Sequence, residues 1–358
     1  VTYPVFMEAP SWLLETFPQP GSRPRWAFAE ASERELPGYL RQLGLSAETI
    51  AGLMAPTSRL IDGGVIYLFP PVELVESLSA EQRVALAGEL RKHPENAFYV
   101  DPVVVASGDV AEWFDGAGLR PELVAAIARL AYRRGDALVF SDIEAVMGRV
   151  SGDVEAAALT KVLTRTRAVI AQLRVESAEE VERLMGYWTT GLNLRRKDIE
   201  PMLRSVAAHR AGPIDIAHLL PPLPRKLLMT YPDPTMAQEG IYPDCHWTSL
   251  NFFNYTPRPF LLDSRLAATT VAERFAPVDP PYKFGDILFF LRNGSSDAFH
   301  SCVYIAGDIV FTKNGRNLVS PFVFAALDDV RKVYDYDDEA RVQGYRNRKA
   351  VEAETASP

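Results

Sequence analysis

Cysteine is scarce, with two in 358 residues, Cys245 and Cys302. Two thiols make no disulfide framework, and they neither require nor exclude an oxidising compartment. No apolar run approaches the ~20 residues of a membrane span, and Val1 to Pro10 lack the charged start and apolar middle of a secretory signal. Basic clusters are short and the net charge is −8. A phosphate backbone is held by a concentrated basic face, so nucleic acid is not an expected partner, and Arg195-Arg196-Lys197 reads as solvated helix surface. No glycine loop could cradle a phosphate, no internal repeat occurs, and no zinc spacing is found, so no metal is expected. His93, His209 and His218 read as structural or surface residues. The chain opens on Val, which points to a trimmed start; a removed export signal is one explanation and a shortened chain another.

What is present is an ordinary globular composition, 47% hydrophobic, and a length suited to two or three domains. Residues 1–60 are rich in Pro and aromatics, Pro4, Pro10, Pro18, Pro20, Pro24 and Pro37 breaking any long helix. Their Trp12, Phe17, Trp26 and Phe28 are expected to pack on neighbours. Residues 61–212 read as a mainly helical domain. Ser79 with Gln82, Ser141 with Glu144 and Ser177 with Glu180 fit the capping-box spacing. Leu159, Val162, Leu163, Val169, Ile170 and Leu173 follow one helical face, and Val181, Leu184, Met185 and Trp188 continue it. Val65 to Phe69 and Tyr99 to Val105 are possible strands. Pro221, Pro222 and Pro224 mark residues 213–228 as a semi-rigid linker, residues 229–335 as a second folded domain, and residues 336–358 as a polar tail.

The second domain carries the chemistry. Cys245 follows the turn-forming Pro243-Asp244, and Trp247, Leu250, Phe252 and Phe253 after it have helical spacing. Cys245 is therefore expected at a helix N-terminus, where backbone N–H groups favour the thiolate, as a cysteine nucleophile requires. Strands are expected over Ile287–Leu291, Ala298–Ile305 and Ile309–Lys313, with a fourth element over Leu318–Phe324. A helix followed by an antiparallel meander gives an α+β class, with a mostly helical region before it. Period-two alternation puts His300, Cys302 and Tyr304 on one face of the second strand, and Thr312 and Asn314 on one face of the third. If the helix packs across that sheet, His300 could take the thiol proton while Thr312 or Asn314 holds its far nitrogen. His246 is the alternative base, although adjacent helical residues do not face each other. A Cys245–Cys302 disulfide that blocks the nucleophile is a further possibility.

These residues resemble the NlpC-type cell-wall cysteine peptidases, small papain-like domains. Asp244-Cys245 looks like the family's nucleophile motif, and Phe284-Gly285-Asp286-Ile287-Leu288-Phe289-Phe290 its Gly-Asp-Leu-Val-Phe-Phe strand. His300-Ser301-Cys302-Val303-Tyr304 is similar to its His-Val-Gly-Ile-Tyr, and Tyr231 stands where the family has a Tyr near the nucleophile. The match covers about residues 226–326. It departs where His246-Trp247 replaces Ser-Gly, where Cys302 replaces Gly, and where Thr312 falls at the third polar position, with Asn314 the alternative. The resemblance implies a papain-like fold and a cysteine hydrolase with Cys245 as nucleophile and His300 as base. It places Tyr231, Asp244, His246 and Trp247 around a substrate peptide of peptidoglycan, typically at the amide between D-glutamate and a diamino acid. It also implies export and no metal or organic cofactor. Competing readings are a papain-like thiol enzyme for another amide, ester or acyl substrate, and a non-catalytic cell-wall-binding module of the same fold.

Overall fold

A computed structural model of the chain describes residues 1–15, 20–209, 212–334 and 340–356; Phe17 and Pro18 lie outside the described residues. The class is mixed helix and sheet, 43% helical and 23% strand. The strands, in chain order, are β1 (Thr2–Met7), β2 (Trp26–Ala29), β3 (Arg59–Asp62), β4 (Val65–Leu68), β5 (Val103–Val105), β6 (Tyr132–Arg134), β7 (Ala137–Phe140), β8 (Thr166–Leu173), β9 (Ile214–Asp215), β10 (Phe275–Val278), β11 (Ile287–Arg292), β12 (Ala298–Ala306), β13 (Ile309–Lys313), β14 (Phe322–Ala326) and β15 (Ala340–Asn347). They divide between two compact units, Phe17–Leu163 and Val1–Thr16 with Thr164–Pro358.

The Phe17–Leu163 unit holds two small antiparallel sheets, ordered β2-β4-β3 and β5-β7-β6, and so carries more strand than a mainly helical domain. Trp26 and Phe28 are buried as expected. Ser79 and Gln82 close the capping box that starts the Ala80–Leu90 helix. The other two boxes do not form. Ser141 bonds Tyr132 instead, Glu144 accepts from the Arg25 amide, and Ser177 caps its helix without a side-chain bond. Arg83 and Asp142 form a buried ion pair.

In the other unit β1 pairs antiparallel with β8, Thr2 opposite Ala171 and Met7 opposite Thr166, so the chain's first residues belong with its last two hundred. Trp12 is 56% exposed rather than packed. The helical stripe expected through Leu173 breaks after the Asp153–Leu163 helix. Val169, Ile170 and Leu173 lie on strand β8, where alternation buries Val169 and leaves Ile170 exposed. In the next helix Val181, Leu184, Met185 and Trp188 are buried together.

Residues 213–228 are core rather than linker. The prolines break this stretch into a short turn, Ile216–Leu219, and a helix, Pro222–Leu227. The leucines between them, Leu219, Leu220, Leu223 and Leu227, are buried in the main cluster. Nor is residues 336–358 a tail: β15 lies inside a six-stranded sheet of order β10-β15-β11-β12-β13-β14. It is anchored by Arg346, whose Nε and Nη2 donate to buried Asp286 at 2.8 and 2.7 Å. Gly285, before Asp286, has φ +89°, and a Cβ there would fall 2.6 Å from the Phe253 ring.

This sheet has two covered faces. On one, Phe289, Val303, Phe311 and Phe324 pack with Trp247 and Leu250 of the Cys245–Leu250 helix. On the other, Leu288, Phe290, Cys302, Val310 and Val323 pack with Val330 of the Leu327–Tyr334 helix. Alternation along each strand divides the two cores. No helix among the described residues is long and apolar enough to cross a membrane.

Candidate active site

Asp244 starts the Cys245–Leu250 helix by accepting the Trp247 N–H at 2.8 Å. Such a cap is worth about 1 kcal/mol. Its second carboxylate oxygen receives Arg316 Nε at 3.2 Å. Cys245 is thus the first helical residue, and Cys245 and Ser249, one helical turn apart, lie over β12. There Ser249 Oγ is 3.1 Å from Ser301 Oγ.

His246 sits at the rim of this contact. Its Nε2–H donates to the Ala298 carbonyl at 3.2 Å, and its Nδ1 lies 2.9 Å from Ser301 Oγ. Its ring stacks on Phe289. Burial holds His246 below the usual histidine range, with Arg316 adding to the effect and Asp244 opposing it. A cavity of about 590 Å³ opens here, its wall including Asp244, His246, Arg316 and Asp297 over apolar Leu261 and Phe289. Cys245 and Trp247 are not in that wall. Trp247, expected at the substrate, is 2% exposed and packs in the core. Its helical position turns the ring inward.

The Cys245 thiol is not activated in this arrangement. Burial, followed by the Asp244 carboxylate, pushes it up to about 12, and the amides of Ser301 and the helix start offset this only in part. The expected thiolate fails because the capping carboxylate and the lost hydration outweigh the helix N–H groups. Cys245 and Cys302 are both free thiols.

His300 is fully buried. Alternation places it on the sheet face opposite the Cys245 helix, where its ring stacks on Tyr334 at 3.8 Å and meets Phe290 edge-on. Nε2 lies 3.2 Å from Thr312 Oγ1, whereas Nδ1 has no partner among the described residues. Burial, then the charge of His246, holds its pKa well below the usual value. Thr312 and His300 are therefore brought together, and Cys245 and His300 are not hydrogen-bonded. Asn314 does not meet the ring; its Oδ1 is buried without a partner among the described residues, as is the Tyr231 hydroxyl. Burial and Glu8 raise the Tyr231 pKa.

The β12–β13 ladder pairs Val303 with Phe311 and Tyr304 with Val310. Lys313 of β13 and Ser301 of β12, which have no assigned role in the sequence analysis, are buried on the Cys245 side of the sheet. Among the described residues no three His, Cys, Asp or Glu side chains converge as a metal site would require. In comparisons with family models, curated proteins and solved structures, the chain matches none.

Proposed function

We propose that the chain is a thiol hydrolase of peptide amides, with a papain-like second unit and peptidoglycan stem peptides as its substrate class. One observation carries the reading: a fully buried imidazole with one nitrogen on Thr312 and the other without a partner among the described residues. It adjoins Ser301 on β12, whose hydroxyl contacts Ser249 of the Cys245 helix. A buried polar atom without a partner costs about 1–3 kcal/mol, and such groups are kept where chemistry uses them. In the proposed reaction the Nδ1 of His300 takes the Cys245 proton, and the thiolate attacks the amide carbonyl. The imidazolium then protonates the leaving amine, and water releases the acid from the thioester. Helix-start amides support the oxyanion. Thr312 fixes the ring's orientation, and the 590 Å³ cavity beside His246 receives the peptide. A substrate in the cell wall places the protein outside the cytoplasm.

The test is digestion of purified muropeptides by the wild type and Cys245→Ala, read by mass spectrometry. The proposal expects amide cleavage that the variant loses entirely. Cleavage that persists in the variant, or no cleavage of any muropeptide by the wild type, contradicts it. A second reading is favoured by the high pKa of Cys245 and its absence from the cavity wall. On that reading the domain binds cell-wall peptides without cutting them, and the muropeptides bind but stay intact.

A further inference from the structure

Lys313 closes β13 and is 0% exposed. It shares the side of Phe311, the side covered by the Cys245 helix. Ser301 of β12 lies on that same side, its hydroxyl contacting Ser249 one turn from Cys245. Lys313 Nζ donates to the carbonyls of Gly315 at 2.7 Å and Asn317 at 2.9 Å. Between those two residues stands Arg316, bonded to the cap of the Cys245 helix, Asp244.

An ammonium has three protons to place, and Lys313 places two on carbonyls. Buried lysines are normally matched by an anion, yet no carboxylate lies within ion-pair distance of Lys313 among the described residues. Burial brings it down to about 8, so the ammonium persists at neutral pH, while Cys245 and Asp244 both act to hold its proton. The titratable and charged groups around Cys245 are then Asp244 and His246 from its own segment, Lys313 from β13 and Arg316 from the following loop, with His300 and Cys302 of β12 on the far face of the sheet. Of the cations, Arg316 is spent on Asp244.

We propose that Lys313 is a positioning residue for Cys245, its ammonium the fixed counter-charge that stabilises the thiolate once His300 has taken the thiol proton. In that step the S–H bond breaks and the proton joins the imidazole. Sulfur keeps the electron pair, and Lys313 retains all three protons. This inference rests on reading Cys245 as the nucleophile.

The experiment is the pH profile of iodoacetamide alkylation at Cys245, located by peptide mapping, in the wild type, Lys313→Gln and Lys313→Arg. Glutamine keeps a donor for the loop carbonyls and removes the charge. The expected result is alkylation at least about tenfold slower at pH 7 in Lys313→Gln, its profile displaced upward by about one pH unit, with Lys313→Arg close to the wild type. In muropeptide assays kcat falls and KM holds. A superimposable profile for Lys313→Gln overturns the proposal, even beside intact hydrolysis. If the wild type hydrolyses nothing but the profile still shifts, the hydrolase reading fails and the Lys313–Cys245 coupling stands. Lys313→Met serves if the glutamine variant does not fold. Failure of both neutral variants with Lys313→Arg folded makes the lysine structural and also overturns the proposal.

Discussion

Arg83 and Lys313 are both buried cations, at 2% and 0% exposure, but their surroundings differ. Arg83, in the Phe17–Leu163 unit, meets Asp142 at 2.5 Å and the carbonyls of Val75 and Leu78 at 2.9 and 3.3 Å. Tyr99 donates to the other Asp142 oxygen at 2.6 Å. Among the described residues Lys313 has carbonyls alone, on the side of the sheet that the Cys245 helix covers. The first network is electrically balanced, which is what a structural charge needs. The second has no anion among the described residues, and the Cys245 sulfur is the atom proposed to supply one.

That contrast can be broken by substitution. Asp142→Ala leaves Arg83 without its counter-charge and should cost about 3–5 kcal/mol in chemical denaturation, whereas Lys313→Met should cost less than about 1 kcal/mol at pH 7. Equal losses would end the distinction.

A smaller effect concerns pH. Folding depresses Lys313 from 10.5 to about 8, so between these values the unfolded chain binds more protons than the folded one. The wild type should therefore gain stability as pH rises from about 8 to 10.5, by up to about 3 kcal/mol, and lose that contribution as pH falls through 8. Lys313→Met should lack the rise. Parallel stability curves for the two proteins would show that the amine is not buried as a charge.

The smallest expected change is in Thr312→Val, which removes the hydroxyl that meets His300 Nε2. Its stability should fall by about 1 kcal/mol, with turnover reduced by about tenfold as the ring loses its orientation. Unaltered turnover would separate Thr312 from the chemistry.

The local grammar of the site was legible. Pro243-Asp244 announced the helix start, the glycine and asparagine turns delimited β11, β12 and β13 to within a residue or two, and period-two alternation put Thr312 and Asn314 on one face of β13, of which Thr312 meets His300. What alternation could not supply was which face the Cys245 helix covers. That depends on the long-range packing of Trp247 and Leu250 against Val303 and Phe311. For the same reason the sequence did not disclose that β1 pairs with β8, or that β15 inserts between β10 and β11. Prolines at 221, 222 and 224 signalled extended chain, and the buried leucines beside them overrode that signal. The raised thiol was hidden because it comes first from burial, which long-range packing sets, and then from Asp244, which caps the helix and also repels the thiolate.

The central claim is that the Cys245 sulfur becomes acylated. It is tested most directly by mixing the protein with muropeptides, quenching in acid within the first turnover, and measuring the intact mass with peptide mapping. The account predicts an added acyl fragment on the peptide containing Cys245, absent in Cys245→Ala. Muropeptide cleavage with no adduct on that peptide at any quench time, or an adduct on Cys302 instead, would contradict it.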